Sequence, residues 1–289
     1  MALDQTHLDK SLAASDRAHQ NYLQVALSAA RAGRDQLLKY LGRLENVDRK
    51  FQAGLVTEAD RAAEAAIHEV LKTYTPDFEF LGEESSANEK TLKVQSQSDY
   101  RWIVDPLDGT TNYVHQFPFF AVSIGLEFKG KVVVGVVDAP LLNEVYCAVK
   151  NGGSYVNGKA LQVSQTASLE DAFVATGFHA EKQKMFDEQL AMFSYLGPKV
   201  RAVRRPGAAS LDLCYLARGV FDLYYERGLQ PWDSAAGAII VEEAGGFVRS
   251  FFEDTYSPFQ NSLLAGNPKL VSEFVSSCSH VFGSKEFPE

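Results

Sequence analysis

A chain of 289 residues, 46% hydrophobic and 22% charged, has room for one large or two medium domains around a substantial core. Its net charge of −9, with no dense Lys/Arg tract, excludes an electrostatic footprint for nucleic acid or an anionic membrane. Cys147, Cys214 and Cys278 form no zinc pattern and no disulfide framework. Neither a signal-like start nor a membrane-length apolar run is present, so a cytoplasmic protein is expected.

In chain order, Leu23, Leu27, Ala30, Leu37, Leu38 and Leu41 recur at helical spacing and predict an amphipathic helix over about 16–41. A charged connector, 42–54, carries Lys50. Thr57-Glu58-Ala59-Asp60 opens a second helix to about Tyr74, with Pro76 beyond it. Phe78 to Leu81 reads as a strand running into Gly82-Glu83-Glu84-Ser85, and Trp102 to Val104 as a buried strand end. Strands over 119–128 and 131–139, joined at Lys129-Gly130, form a hairpin, with a third strand over 144–149. Beyond it the order is mixed: helix near 182–196, strand near 199–204, helix near 209–218, strand near 220–225, helix near 234–245, and a last helix over 268–277. This alternation predicts an α/β layered architecture of two packed sub-domains, 1–150 and 151–289. The break at 151–158 divides them, and the acidic turns lie in their shared cleft.

The densest chemistry lies in Asp105-Pro106-Leu107-Asp108-Gly109-Thr110-Thr111-Asn112. Pro106 and Gly109 turn the chain, so Asp105 and Asp108 face one site, while Gly109 and Thr110 offer backbone N–H groups at a helix start. Carboxylate and carbonyl oxygens suit Mg²⁺, and free N–H groups suit a phosphate. Both aspartates also suit an ordinary turn or cap. Glu83 and Glu84 leave a strand end, where a solvated loop is the plainer alternative for Glu84. Asp233, before the apolar run 238–244, reads as an N-cap, a metal ligand or both. Asp60 completes a Thr57-x-x-Asp60 capping pattern. No histidine pair has ligand spacing, and His115 reads as a structural residue. The nucleophile elbow, the P-loop and the dinucleotide fingerprint are all missing.

The ordered set Gly82-Glu83-Glu84-Ser85, Asp105–Asn112 and Trp232-Asp233-Ser234-Ala235-Ala236-Gly237 resembles the inositol monophosphatase family of lithium-sensitive, Mg²⁺-dependent phosphatases. The resemblance implies an α-β-α-β-α sandwich, a homodimer, and hydrolysis of small phosphomonoesters. It implies one Mg²⁺ on Glu83, Asp105 and the Leu107 carbonyl, a second on Asp105, Asp108 and Asp233, and a weaker third near Glu83. Asp60 and Thr110 correspond to the pair that activates water. The Gly109 and Thr110 amides correspond to the phosphate cradle, Gly207, Ala208, Ala209 and Glu226 to substrate contacts, and Lys50 to a loop lysine near the metals. Pro206 and Ser210 depart from the usual residues, and both departures bear on the substrate side rather than on the metals.

Inositol-1-phosphate is the expected substrate. Histidinol phosphate and fructose 1,6-bisphosphate are alternatives. A 3′-phosphoadenosine nucleotide fits least, for want of an evident basic group around Gly207. A non-catalytic role, binding the transcription machinery through protein contacts rather than RNA, is the remaining alternative.

Overall fold

The computed structural model describes residues 17–49, 55–86, 98–178 and 183–282. Lys50 lies outside the described residues. Helix α1 (Arg17–Tyr40) buries Leu23, Ala26, Ala30, Gly33 and Leu37 at spacings of three and four, the stripe an amphipathic helix turns inward. Strands β1 (Val47–Arg49) and β2 (Leu55–Thr57) pair antiparallel where a plain connector was expected. Helix α2 (Glu58–Tyr74) begins on Thr57 with a full capping box: the Thr57 side chain accepts the Asp60 N–H and the Asp60 side chain accepts the Thr57 N–H. Its buried face, Ala59, Ala63, Ile67 and Leu71, packs with α1 in one core.

That pair covers one face of a seven-stranded sheet in the order β3-β4-β5-β6-β7-β8-β9. Its strands are β3 (Glu79–Gly82), β4 (Tyr100–Asp108), β5 (Ala121–Phe128), β6 (Lys131–Ala139), β7 (Glu144–Val149), β8 (Gly153–Val156) and β9 (Lys159–Ala160). The Asn151-Gly152-Gly153 break is therefore the β7–β8 turn, and the sheet runs on to Ala160 instead of ending near 150. Asn151, with φ 62, and Gly153, with φ 81, give the chain the left-handed backbone this hairpin requires.

Helix α3 (Thr110–Val114) is a short turn between β4 and β5. A second sheet has the order β11-β10-β12-β14-β13: β10 (Phe173–Thr176), β11 (Ala202–Arg204), β12 (Leu223–Arg227), β13 (Phe247–Arg249) and β14 (Ser262–Gly266). Strands β10, β13 and β14 lie where no strand was expected. They are three to five residues long, too short for a two-residue alternation to stand out.

Helices α5 (Ala209–Ala217) and α6 (Pro231–Glu243) fill the space between the sheets, and Leu211, Leu213, Ile239 and Ile240 join a core with residues of both. Helix α4 (Gln183–Leu196) and helix α7 (Pro268–Cys278) cover the far face of the second sheet through Met192, Leu196, Leu270 and Phe274. The layers thus alternate α-β-α-β-α. Because α6 lies in the middle layer, it is buried on nearly every side, from Ser234 through Val241. No helix of the described residues is long and apolar enough to cross a membrane.

The approach of α6 to the first sheet depends on missing side chains. A Cβ at Gly135 would stand 2.6 Å from Ile239 Cγ2 and 2.7 Å from the Ala236 carbonyl oxygen, whereas one at Gly197 meets nothing within 4 Å. Gly135→Ala is expected to lower stability in urea unfolding by about 1–3 kcal/mol. Gly197→Ala should change it by less than about 0.5 kcal/mol. Equal effects would contradict this packing.

Candidate active site

The segment from Asp105 to Asp108 is not a turn after a strand but part of β4, and the register with β5 shifts between the two aspartates. This bulge brings both carboxylates toward α5 and α6 instead of leaving them on opposite faces of a regular strand. Asp105 Oδ1 accepts the Leu107 N–H at 2.9 Å. Asp108 Oδ2 accepts two donors of Ser210, the N–H at 2.7 Å and the hydroxyl at 2.5 Å. Asp233 is the third residue of α6, not its N-cap. It forms a capping box with Gln230, accepting the Gln230 N–H at 2.7 Å. Strand β5 pins the start of α6 from the other side, as the Ser123 hydroxyl donates to the Trp232 carbonyl at 3.1 Å.

Asp105 and Asp108 are buried and Asp233 is half-buried, and all three are close enough to feel one another's charge. Burial, then the charges of Glu83, Asp108 and Asp233, hold the Asp105 carboxyl well above the usual carboxylate range. Asp233 is raised in the same way by burial, Asp108 and Glu83. Burial pushes Asp108 up to about 6 against the opposing hydrogen bonds from Ser210 and Ala209. None of the leading influences on Asp105 or Asp233 is a cation.

Among the described residues, no three His, Cys, Asp or Glu stand at the spacing of a ready metal cage. The four acids therefore act on one another's charge but do not form the ready cage that the resemblance implied. Like charges push such groups apart, and each aspartate settles on a nearby N–H. The donor set still fits a hard divalent cation: carboxylate oxygens, no nitrogen or sulfur competitor, and buried negative charge that is costly unless it is paired.

Beside them sits the Asp60–Thr110 pair. Asp60 Oδ2 accepts the Thr57 N–H at 2.8 Å and hydroxyl at 2.6 Å. The Thr110 hydroxyl lies 3.2 Å from Asp60 Oδ1 and 3.1 Å from the Leu107 carbonyl; its one proton serves a single acceptor at a time. Burial lifts Asp60 to about 7, with Glu84 and Glu83 adding to the rise and the Thr57 bonds opposing it. The Thr57 cap and the Thr110 contact thus fall on different oxygens of one carboxylate.

Gly109 caps α3 with φ 91, a backbone only glycine adopts readily. A Cβ there would stand 3.2 Å from that of Ala208, so the Gly207–Ala209 loop lies directly across from the Gly109 turn. Asn112 ties the two together, its amide donating to the carbonyls of Phe119 at 2.7 Å and Pro206 at 3.0 Å. Glu226 lies against Gly177, where any side chain would overlap it. It accepts the Tyr224 hydroxyl, and burial raises it to about 7. Exposed His115 caps the end of α3.

Several residues of this neighbourhood escaped the sequence reading. Glu64, one helical turn after Asp60, accepts the Glu84 N–H at 2.8 Å and so shapes the Glu83-Glu84 turn; the i, i+4 spacing of two acids on α2 was the available signal. Arg205 lies beside Gly207, its Nη1 3.1 Å from where a Cβ would be, and its charge opposes the rise at Glu226 and Asp212. A basic group around Gly207 is therefore present after all. Ser210, expected to bear on the substrate side, reaches Asp108.

A pair of sheets enclosing buried carboxylates beside an acid–hydroxyl couple is the frame of a metal-dependent phosphoester hydrolase. The inositol monophosphatase family model matches residues 18–280, and the chain belongs to that family. An inositol-1-monophosphatase of Synechocystis sp. is 40% identical over 255 residues, covering 88% of this chain and 87% of that protein. A Nus factor SuhB of Pseudomonas aeruginosa is 40% identical over 261 residues, covering 89% and 95%. The crystal structure of the extragenic suppressor protein suhB from Bartonella henselae superposes with a TM-score of 0.81 at 37% identity, covering 89% of this chain and 98% of that one. This chain is accordingly a phosphomonoester hydrolase of a metal-dependent family.

The Asp105 carboxyl titrates higher in the folded chain than the 3.8 of a free aspartate. Its contribution to stability is thus complete in acid and is lost as pH rises through the folded value. With a chelator present, Asp105→Asn should melt higher than wild type at pH 8, and the gap should close toward pH 4. A wild type equally stable across that range, or an Asn variant that melts lower at pH 8, would contradict the buried repulsion.

Proposed function

We propose that this chain is a cytoplasmic, homodimeric enzyme that hydrolyses inositol-1-phosphate to myo-inositol and phosphate, with two or three Mg²⁺ per active site. The observation that carries this reading is the set of buried carboxylates facing the Asp60–Thr110 couple across the Gly109 turn. Glu83, Asp105, the Leu107 carbonyl, Asp108 and Asp233 would hold the metal. Bound Mg²⁺ would supply acidified water and neutralise charge on phosphate and leaving group.

The protein's own residues account for the remaining steps. The Thr110 hydroxyl hands the proton of the attacking water to Asp60, whose raised affinity for protons suits a base working near neutrality. Gly109 and Thr110 amides receive the phosphate. Glu226 and the 207–209 loop orient the alcohol through its hydroxyls. Attack is in line, with no phosphoenzyme, since no nucleophilic side chain is required. Glu83, through its charge on Asp60 and Asp105, joins the two halves of the site.

Likeness to a Nus factor supports a second role in binding the transcription machinery. The acidic net charge favours protein rather than RNA as the contact.

Phosphate release should be greater with inositol-1-phosphate than with histidinol phosphate or fructose 1,6-bisphosphate, and should vanish on chelation. Asp105→Asn should nearly abolish turnover, and Thr110→Ala should lower it by about 10²–10⁴-fold, the usual range for proton-transfer assistance. Near-normal turnover of Asp105→Asn in Mg²⁺ would overturn the scheme. Inertness toward every ester, together with capture of a transcription protein, would favour the binding role alone.

A further inference from the structure

We propose that Ser210 is a positioning residue for the divalent-cation site, its hydroxyl locking the rotation of the Asp108 carboxylate and thereby setting how tightly the cation is held. The inference rests on the metallophosphatase reading above and adds to it a residue outside the ligand set. Ser210 is fully buried at the second position of α5. That helix has no side-chain cap at Ala208, so its first amides need an acceptor from elsewhere. Asp108, 102 residues earlier, supplies it through Oδ2. The amide bond alone satisfies the helix end. The hydroxyl is a further donor on the same oxygen, at 2.5 Å.

Its direction is informative. In the first turn of a helix no carbonyl of a preceding turn stands ready to take the proton of a serine. Here the proton goes across the domain to the carboxylate. The terminal torsion of an aspartate is soft, with a broad range of settings. Two donors approaching one oxygen from different directions remove that freedom and fix where the other oxygen points. Groups that orient a metal ligand in this way typically matter by 10–100-fold in metal affinity when removed. Fixing Asp108 also fixes the charge that it exerts on both Asp105 and Asp233.

The test is Mg²⁺ binding by titration calorimetry on the full chain, alongside melting of the chelated protein. Ser210→Ala is expected to weaken Mg²⁺ binding by about tenfold or more, and Ser210→Thr, which restores the hydroxyl, to recover most of the loss. Binding by Ser210→Ala within twofold of wild type would overturn the inference. So would a threonine variant as weak as the alanine one, since packing rather than the hydroxyl would then be responsible. A fall in the melting temperature of chelated Ser210→Ala with unchanged affinity would assign the residue to helix capping alone, and would also overturn it. Should the wild-type protein itself bind no Mg²⁺, the metallophosphatase reading falls first and this inference with it, an outcome told apart by that control.

Discussion

Negative charge held where little water reaches it is the constraint around which this molecule is organised. Asp60, Asp105 and Asp108 are all buried, and Glu83 adds its charge to Asp60, Asp105 and Asp233. A carboxylate in such surroundings is costly unless it is paired or hydrogen-bonded. The hydrophobic layers on either side hold the acids where relaxation would otherwise separate them. Helix α6, apolar on nearly every side, delivers Asp233 from the middle layer, and the bulge in β4 delivers Asp105 and Asp108 from the sheet. Stability of the cores is thereby converted into a strained electrostatic site, a common trade in enzymes.

The structure handles each acid in the same manner. One oxygen is gripped by a local donor: Leu107 for Asp105, Ser210 for Asp108, Gln230 for Asp233, Thr57 for Asp60. Two of these grips are capping boxes, so the residues that start α2 and α6 also set the direction of Asp60 and Asp233. Helix capping and function do not compete here, because a carboxylate has several lone-pair directions. The Asn112 amide, bonded to carbonyls on both sides of the cleft, does for the backbone what these grips do for the side chains.

How much of this was legible in the sequence depends on the distance between partners along the chain. The Asp105–Asn112 segment was readable because carboxylates, turn formers and amides crowd into eight residues. The Thr57–Asp60 cap was readable because its partners lie three apart. Helices with long apolar stripes, such as α1 and α2, stood out for the same reason. Contacts between remote segments leave little or no trace: Ser210 meets Asp108 across 102 positions, and the spacing of Glu64 from Asp60 gives no sign that it meets Glu84 across 20. Strands of three to five residues are too short for an alternation to stand out, and β10 and β14 are buried almost throughout, which is why β10, β13 and β14 left no signal. The β7–β8 hairpin was mistaken for a boundary because its Asn-Gly-Gly turn has the composition of a linker. Arg205 was visible as a residue, but its place beside Gly207 is a matter of folding.

The central claim is that the enclosed carboxylates await a divalent cation. Thermal melting of the wild-type chain at neutral pH, with chelator and then with saturating Mg²⁺, tests it most directly. A ligand at about 100 times its dissociation constant adds about 2.7 kcal/mol, which for a chain of this size corresponds to a rise of several degrees. The account predicts such a rise in Mg²⁺ and its loss in Asp105→Asn. An unchanged melting temperature for the wild type would contradict it.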